Sequence, residues 1–169
     1  QEAVAVGAIA ALKEGDLTLV SGHPGRTDRL LTLPELEYLR DVQFPYTLAR
    51  FKRLETLLLS WSGRSEENAR RAKDDLFGYQ NSRKARDGGH AGLYDPVLMG
   101  RKAEAEKQFR TRLAANGEYP DAQAAYDKIA QAQAVVKQHA LRFRLLEGEH
   151  GFGGDSFGIA RTLLRAGEE

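Results

Sequence analysis

Apolar residues recur at steps of three and four along two long stretches of this chain, and this periodicity restricts its fold more than any other feature. The first stretch steps by 4, 3, 3, 4 and 3 residues through Phe44, Leu48, Phe51, Leu54, Leu58 and Trp61. The second steps by 4, 3, 7, 4 and 3 residues through Ala122, Tyr126, Ile129, Val136, Ala140 and Phe143. Such spacing places each set on one face of an α-helix, and a helix of about 25 residues is about 37 Å long. The chain is therefore predicted to fold mainly from long helices that pack through these faces.

Prolines and capping residues predict where the first two helices begin and end. Pro34 is expected at the start of the first helix, because proline suits the first helical turn. Pro45 should kink or divide that helix before it ends at about Ser60. Ser65 is a good N-cap for a second helix. This second helix is expected to fade in the glycine-rich segment RDGGHAGLYD, interpreted as a loop.

Capping residues, prolines and glycine-rich segments also predict where the remaining helices begin and end. Asp95 and Pro96 should cap and start a third helix, which the segment NGEYPD breaks. Pro120 should start a fourth helix, which ends in the segment GEHGFGGD. A short last helix is expected from Ser156 to Ala166, with Ser156 as its N-cap. The chain thus predicts four or five helices in antiparallel succession.

The first 30 residues have a different pattern. The segment DLTLVSG is typical of a strand that ends in a turn, whereas AVAVGAIAAL could be strand or helix. The following segment, VSGHPGRTDR, does not match a phosphate-binding loop, and Pro24 lacks the backbone N–H that such a loop would use. A structured turn or a ligand-binding loop both remain open. The predicted fold class is mainly α, an antiparallel bundle of long helices after a short N-terminal β segment, with domains at residues 1–30 and 31–169.

Composition excludes several classes of function. The 25 basic and 24 acidic residues leave a net charge of +1, so no overall field would attract nucleic acid. The chain has no cysteine, which excludes disulfides and thiolate chemistry. No run of about 18 apolar residues could span a bilayer. The first residues include neither a starting Met nor a basic segment, so we expect a piece of a longer protein.

No set of side chains in the sequence forms a convincing catalytic or metal site. The four histidines, His23, His90, His139 and His150, accompany no G-x-S-x-G nucleophile motif. Glu149, His150 and Asp155 could be imagined as metal ligands, but their spacing matches no metal motif and favours a solvated loop. We therefore predict no catalytic residue, no metal site and no cofactor in this chain.

Adjacent carboxylates are better explained by the surface than by catalysis. Glu66 and Glu67 precede Arg70 and Arg71 by three to five positions on a predicted helix. Side chains three or four residues apart on a helix are neighbours, so these residues should form surface ion pairs. The basic runs around Arg50 and Arg144 are likewise interpreted as polar helix faces.

The segment KEGDLTLVSGHPGRTDR resembles the S46 family of bacterial serine peptidases, which release dipeptides from free N-termini. The residues that fit the family pattern are Gly15, Asp16, Gly22, Pro24, Gly25, Arg26, Thr27 and Arg29. The segments NSRKA, GLYD and ARTLLRAGEE also read like that family, so the resemblance covers nearly the whole chain. His23, Asp28 and Leu30 depart from the residues usual in this motif.

The resemblance implies a division of labour within a larger enzyme. Residues 1–30 would end part of a chymotrypsin-like double β-barrel, and residues 31–169 would be the helical cap domain inserted into it. The catalytic histidine, aspartate and serine would lie outside this chain, so the chain alone should be inactive. The implied partners are peptides with a free N-terminus and the barrel of the same polypeptide. The implied location is periplasmic or secreted.

The resemblance also assigns a substrate-binding role to Asn81, which matches the asparagine of the family's N-x-x-K segment. An amide oxygen can accept a hydrogen bond from a peptide α-ammonium that would otherwise be buried without a partner. Tyr79, Arg83 and Lys84 could line the same space. From the residues alone, the favoured interpretation of Asn81 is a polar residue near the C-terminus of a helix.

A second function class remains open. The Ala-rich helices could form a non-catalytic interaction or oligomerisation module without a peptidase parent. As an excised fragment the chain could also form a homodimer, because surfaces that normally meet the barrel would be exposed.

Overall fold

The computed structural model describes residues 13, 15–17, 28, 30–117, 120–148 and 150–167. The chain divides into two units, Gln1–Leu30 and Leu31–Glu169. In the first unit, the backbone N–H of Asp16 donates to the carbonyl of Lys13 at 3.1 Å across Gly15, whose φ is +97°. No strand occurs among the described residues, and the predicted strand and GHPGRTDR turn lie almost entirely outside them. Assigning the two units to a barrel segment and a cap domain therefore stays a prediction.

The second unit is built from helices. In chain order these are α1 (Leu33–Tyr38), a π-helical turn (Leu39–Gln43), α2 (Phe44–Ser62), α3 (Glu66–Leu93), α4 (Pro96–Asn116), α5 (Pro120–Leu146) and α6 (Asp155–Ala166). The buried apolar residues among those described are Leu36, Leu48, Ala72, Leu93 and Ala140. The core therefore lies between α1, α2, α3 and α5, and the predicted mainly helical class is confirmed.

Helix α1 begins where the sequence predicts, and its start is tied to a distant helix. The Glu35 carboxylate accepts the backbone N–H of Thr32 at 2.7 Å and its hydroxyl at 2.8 Å. Glu106 of α4 accepts the N–H of Leu33 at 2.7 Å. The first N–H groups of a helix have no partner within it, so these carboxylates satisfy donors that would otherwise be unpaired.

Pro45 divides the first predicted helix by forcing a change of helix type. Proline has no N–H, and its ring clashes with the carbonyl four residues earlier in a regular α-helix. The chain responds with the π-helical turn, in which the N–H of Phe44 donates to Leu39, five residues earlier. A π turn leaves a carbonyl without its usual partner, and here His90 of α3 contacts the Arg40 carbonyl at 2.9 Å.

Helices α2 and α3 form an antiparallel hairpin. Ser65 caps α3 as predicted, and its hydroxyl accepts the N–H of Asn68 at 3.1 Å. Near the turn, the Asn68 amide donates to the carbonyl of Trp61 at 3.2 Å. At mid-length, the rings of Phe51 and Tyr79 lie 5.5 Å apart. Residues farther from the turn in α2 therefore contact residues farther from the turn in α3, as expected for antiparallel helices.

The expectation that the second helix fades in RDGGHAGLYD is wrong. Helix α3 has 28 residues and continues through all three glycines of that segment to Leu93. A helical glycine costs about 1 kcal/mol relative to alanine, but packing readily offsets such a cost. A Cβ built on Gly89 would lie 3.5 Å from the Phe44 ring, which is ordinary van der Waals contact, so this part of α3 packs against α2. The His90 ring also makes an edge contact with Phe44 at 6.0 Å.

Helices α4 and α5 form a second hairpin with the predicted bounds. Asp95 caps α4 by accepting the N–H of Val97 at 2.8 Å, and Pro96 follows in the first turn. Helix α4 ends at Gly117, whose φ of +64° is a conformation that glycine adopts without strain. Beyond the turn, Arg110 pairs with Asp127 at 2.6 Å.

The last helix begins one residue earlier than expected. Gly154 occupies the N-cap and Ser156 lies inside α6, so the prediction of Ser156 as N-cap is wrong. Asp155 in the first turn suits this start, because a carboxylate is favourable near a helix N-terminus. Arg161 donates to the carbonyl of Leu146, and Arg165 pairs with Glu147, so α6 is anchored to the end of α5. No helix in the described part of the chain is long and apolar enough to cross a membrane.

Candidate functional site

Asn81 lies on an open face of α3. Gly78, Asn81, Ala85, Gly88 and Gly92 follow one another at steps of three and four, which places them on one side of the helix. Asn81 is exposed. A Cβ built on Gly78, Gly88 or Gly92 would have no heavy atom of the described chain within 4 Å. We call these five residues the open face of α3, and they leave the helix accessible around the Asn81 amide.

The structure does not bring Tyr79 and Arg83 to the open face of α3. Tyr79 packs on Phe51 of α2, and Arg83 donates to Glu55 of α2 at 2.7 Å and to Asp87 at 2.9 Å. Both side chains therefore belong to the contact with α2. Lys84 is exposed and follows Asn81 by three positions, so it is the predicted neighbour that remains beside it.

The Arg83 ion pair stiffens the helix that carries Asn81. Glu55 is only 9% exposed, and its carboxylate is the largest cause of the raised pKa of Arg83, followed by Asp87. Planar guanidinium groups hold carboxylates in fixed directions. Helix α3 is thus fastened to α2 within one turn of Asn81, on a side that the open face does not use.

Two of the described histidines, His90 and His150, make contacts within the fold. The His90 ring lies between the Arg40 carbonyl and Tyr94, whose ring centroid is 5.0 Å away. Since a carbonyl only accepts, the Nε2 atom of His90 carries the proton. His139 is exposed on α5, and His150 stacks on Tyr46 at 5.7 Å with 11° between the ring planes. No described serine hydroxyl is hydrogen-bonded to any of these three rings, and His23 lies outside the described residues.

The predicted surface roles of the carboxylates are observed for Glu67. It accepts from Arg70 at 2.7 Å and from Arg71 at 2.8 Å, and these bonds lower its pKa. The imagined metal set does not assemble from the described residues, because His150 stacks on Tyr46 while Asp155 begins α6. Glu149 lies outside those residues. Among the residues that the structure describes, no group of three or more metal-ligating side chains occurs.

A groove, which the sequence did not indicate, lies between α5 and the segment from α1 to α2. Arg144 of α5 lies over the Tyr46 ring at 4.6 Å and donates to the Tyr38 hydroxyl at 3.1 Å. The sequence interpretation placed Arg144 on a polar helix face. It missed the contact because the partners are 98 and 106 positions apart, and helical periodicity carries no information on such distances.

Comparison with known families places nearly the whole chain within one of them. A model of the family described as Peptidase S46 matches residues 2–169. Neither the curated proteins nor the solved structures give a match.

Proposed function

We propose, because the chain belongs to the peptidase S46 family, that its helical unit positions and gates peptide substrates for a serine peptidase that releases dipeptides from free N-termini. The nucleophilic serine and its histidine and aspartate would come from parts of the polypeptide outside residues 1–169. The chain alone would then be inactive. A periplasmic or secreted location is part of the same proposal.

The observation that carries the proposal is the accessibility of Asn81. Its amide lies on the open face of α3, where glycines leave room for a peptide to approach the helix closely. The amide oxygen would accept from the substrate α-ammonium, which must find a partner when a closing cap removes water. Rigid attachment of α3 to α2 through Arg83 and Glu55 would keep that oxygen in place.

Replacing Asn81 in the enzyme that contains this chain tests the role directly. Asn81→Ala should lower kcat/KM for peptides with a free N-terminus by about tenfold or more, since a hydrogen bond to a charged group is lost. Gln138→Ala, at an exposed position of α5, is the matched control and should leave kcat/KM unchanged. An unchanged kcat/KM for Asn81→Ala would contradict the amine-anchoring role.

The alternative is a helical interaction module, and one observation favours self-association. Ile159, Leu163 and Leu164 of α6 are 61%, 68% and 66% exposed, and Phe152 just before it is 51% exposed. Apolar residues grouped in this way commonly mark surfaces that are covered by a partner. Light scattering of the chain should then give the mass of a homodimer, and Leu163→Asp should return it to a monomer. A monomer at all concentrations would contradict this alternative.

A further inference from the structure

The groove between α5 and the segment from α1 to α2 has the size of a ligand site. Its volume is about 560 Å³, within the range of small-molecule and short-peptide pockets. Its floor is apolar and comes from Val136, Ala140 and Phe143 of α5. Val136 remains 44% exposed and Phe143 63% exposed, so a ligand could still cover apolar area at both. Burial of that area would favour a ligand with an apolar side chain.

One end of the groove holds a fixed positive charge. The Arg144 guanidinium is oriented by the Tyr38 hydroxyl at 3.1 Å and by the Tyr46 ring at 4.6 Å. Among the described residues, no acidic side chain lines the groove and no carboxylate forms an ion pair with Arg144. An oriented guanidinium suits a planar anion such as a carboxylate, because less conformational freedom is lost on binding.

The neighbouring histidine adds no positive charge at neutral pH. His139 and His150 also line the groove, and His150 stacks on Tyr46. Burial, followed by the charges of Arg50 and Arg144, lowers its pKa from the ordinary value of 6.5. Arg144 is therefore the permanently charged group that an anionic ligand would meet, with the imidazoles of His139 and His150 in the same groove.

Polar side chains at the rim of the groove favour a peptide over a simple fatty acid as the ligand. Gln43 and Thr47 line the groove on the side of the π-helical turn and α2. An amide and a hydroxyl can pair with the N–H and C=O groups of a peptide backbone, whereas a fatty-acid chain offers neither. From this combination we propose that the groove binds the C-terminal end of a peptide, with the free α-carboxylate on Arg144 and an apolar last side chain against Val136 and Phe143.

This site is separate from the one proposed around Asn81. No residue of α3 lines the groove. An N-acetylated probe removes the ammonium that Asn81 would bind, so the two proposals can fail independently.

The test is an NMR titration of the chain with N-acetyl-Gly-Phe as the free acid and as its C-terminal amide. The acid should bind about tenfold more tightly than the amide, as expected for one charge-assisted contact. Its chemical-shift changes should concentrate at Thr47, Val136 and Phe143. Arg144→Gln should abolish the preference for the acid, and Arg144→Lys should restore part of it because the charge remains. Arg142→Gln is the matched control, since Arg142 is exposed on the same helix, and it should keep the preference.

Four outcomes would overturn the proposal. These are equal binding of acid and amide, an unchanged preference in Arg144→Gln, no binding of either probe, and binding of hexanoate as tightly as the peptide acid. Circular dichroism checks that Arg144→Gln remains helical. If that variant unfolds, Phe143→Gln decides instead, because Phe143 is 63% exposed and the replacement should keep the fold. Phe143→Gln should weaken binding of the acid several-fold, and unchanged binding would contradict the site.

Discussion

The two hairpins of this chain are built from helices of similar length but differ sharply in how they are packed. Helices α2 and α3 share the most extensive contact between any two described elements, whereas the contact between α4 and α5 is much less extensive. The first hairpin buries Leu48, Ala72 and Leu93. Helix α4 of the second buries none of its residues.

The ion pair of the first hairpin is also more buried than the ion pair of the second. In the pair of Arg83 with Glu55, the side chains are 26% and 11% exposed. In the pair of Arg110 with Asp127, they are 32% and 56% exposed. Ion pairs in water contribute little, whereas a partly buried carboxylate depends on its partner. The first hairpin is thus a rigid support for Asn81. In the second hairpin, α4 is the less buried helix, and α5 packs against α1 as well as against α4.

The largest expected effect on stability comes from replacing a core leucine. Leu48→Ala in α2 should lower the free energy of unfolding by about 3 kcal/mol, because Leu48 is 7% exposed and a cavity would remain. Leu98→Ala in α4 should cost less than about 1 kcal/mol, because Leu98 is 42% exposed. Urea denaturation followed by circular dichroism measures both. Equal losses would mean that the two hairpins are equally packed.

The second test removes one carboxylate from each ion pair. Asp127→Ala should change stability by no more than about 0.5 kcal/mol, as is usual for an exposed pair. Glu55→Ala should cost more than that, since Glu55 is 9% exposed and Arg83 would retain only Asp87. Thermal melts at low and high salt separate the two, because screening should weaken the exposed pair more. A larger effect of Asp127→Ala would reverse the comparison.

The third test uses one glycine from each hairpin. Gly88→Ala in α3 should raise stability by up to about 1 kcal/mol, since a built Cβ has no neighbour within 4 Å. Gly117→Ala after α4 should lower stability by about 1 kcal/mol, because its φ is +64°. Thermal melts report both changes. If the open face of α3 receives substrate, Gly88→Ala should also reduce kcat/KM in the whole enzyme while the protein becomes more stable.

The bounds of these helices were largely predictable from sequence because they depend on local chemistry. Pro34, Ser65, Asp95 and Pro120 mark starts through capping and proline geometry, and the division at Pro45 follows from its missing N–H. The glycines of α3 do not end the helix as expected, since the cost of a helical glycine is small and the packing that offsets it involves residues far away in the chain. The family was also predictable, because its GHPGRTDR motif is a run of specific residues.

The two candidate sites differ in the same way, because one was found from a local motif and the other depends on distant contacts. Asn81 was identified from a motif, and the structure adds its exposure and the open face around it. The groove at Arg144 could not be predicted, because it depends on contacts with Tyr38 and Tyr46 far away in the chain. Contacts of this kind are determined by how helices pack, and a single sequence gives no pairing between helices.

The smallest expected effect concerns the contact between His150, which follows α5, and Tyr46 of α2. The His150 ring stacks on Tyr46, and its Nδ1 lies 3.3 Å from the Tyr46 hydroxyl. Because the pKa of His150 is lowered in the folded state, the unfolded chain binds more protons in the acidic range, so stability should rise with pH there. The contribution is present above the ordinary pKa of 6.5 and is lost as the pH falls below it. His150→Gln should flatten this part of the stability profile in urea denaturation between neutral and mildly acidic pH. Tyr46→Phe, which keeps the stacking, should retain most of the slope. An unchanged slope in His150→Gln would show that folding does not lower the pKa of His150.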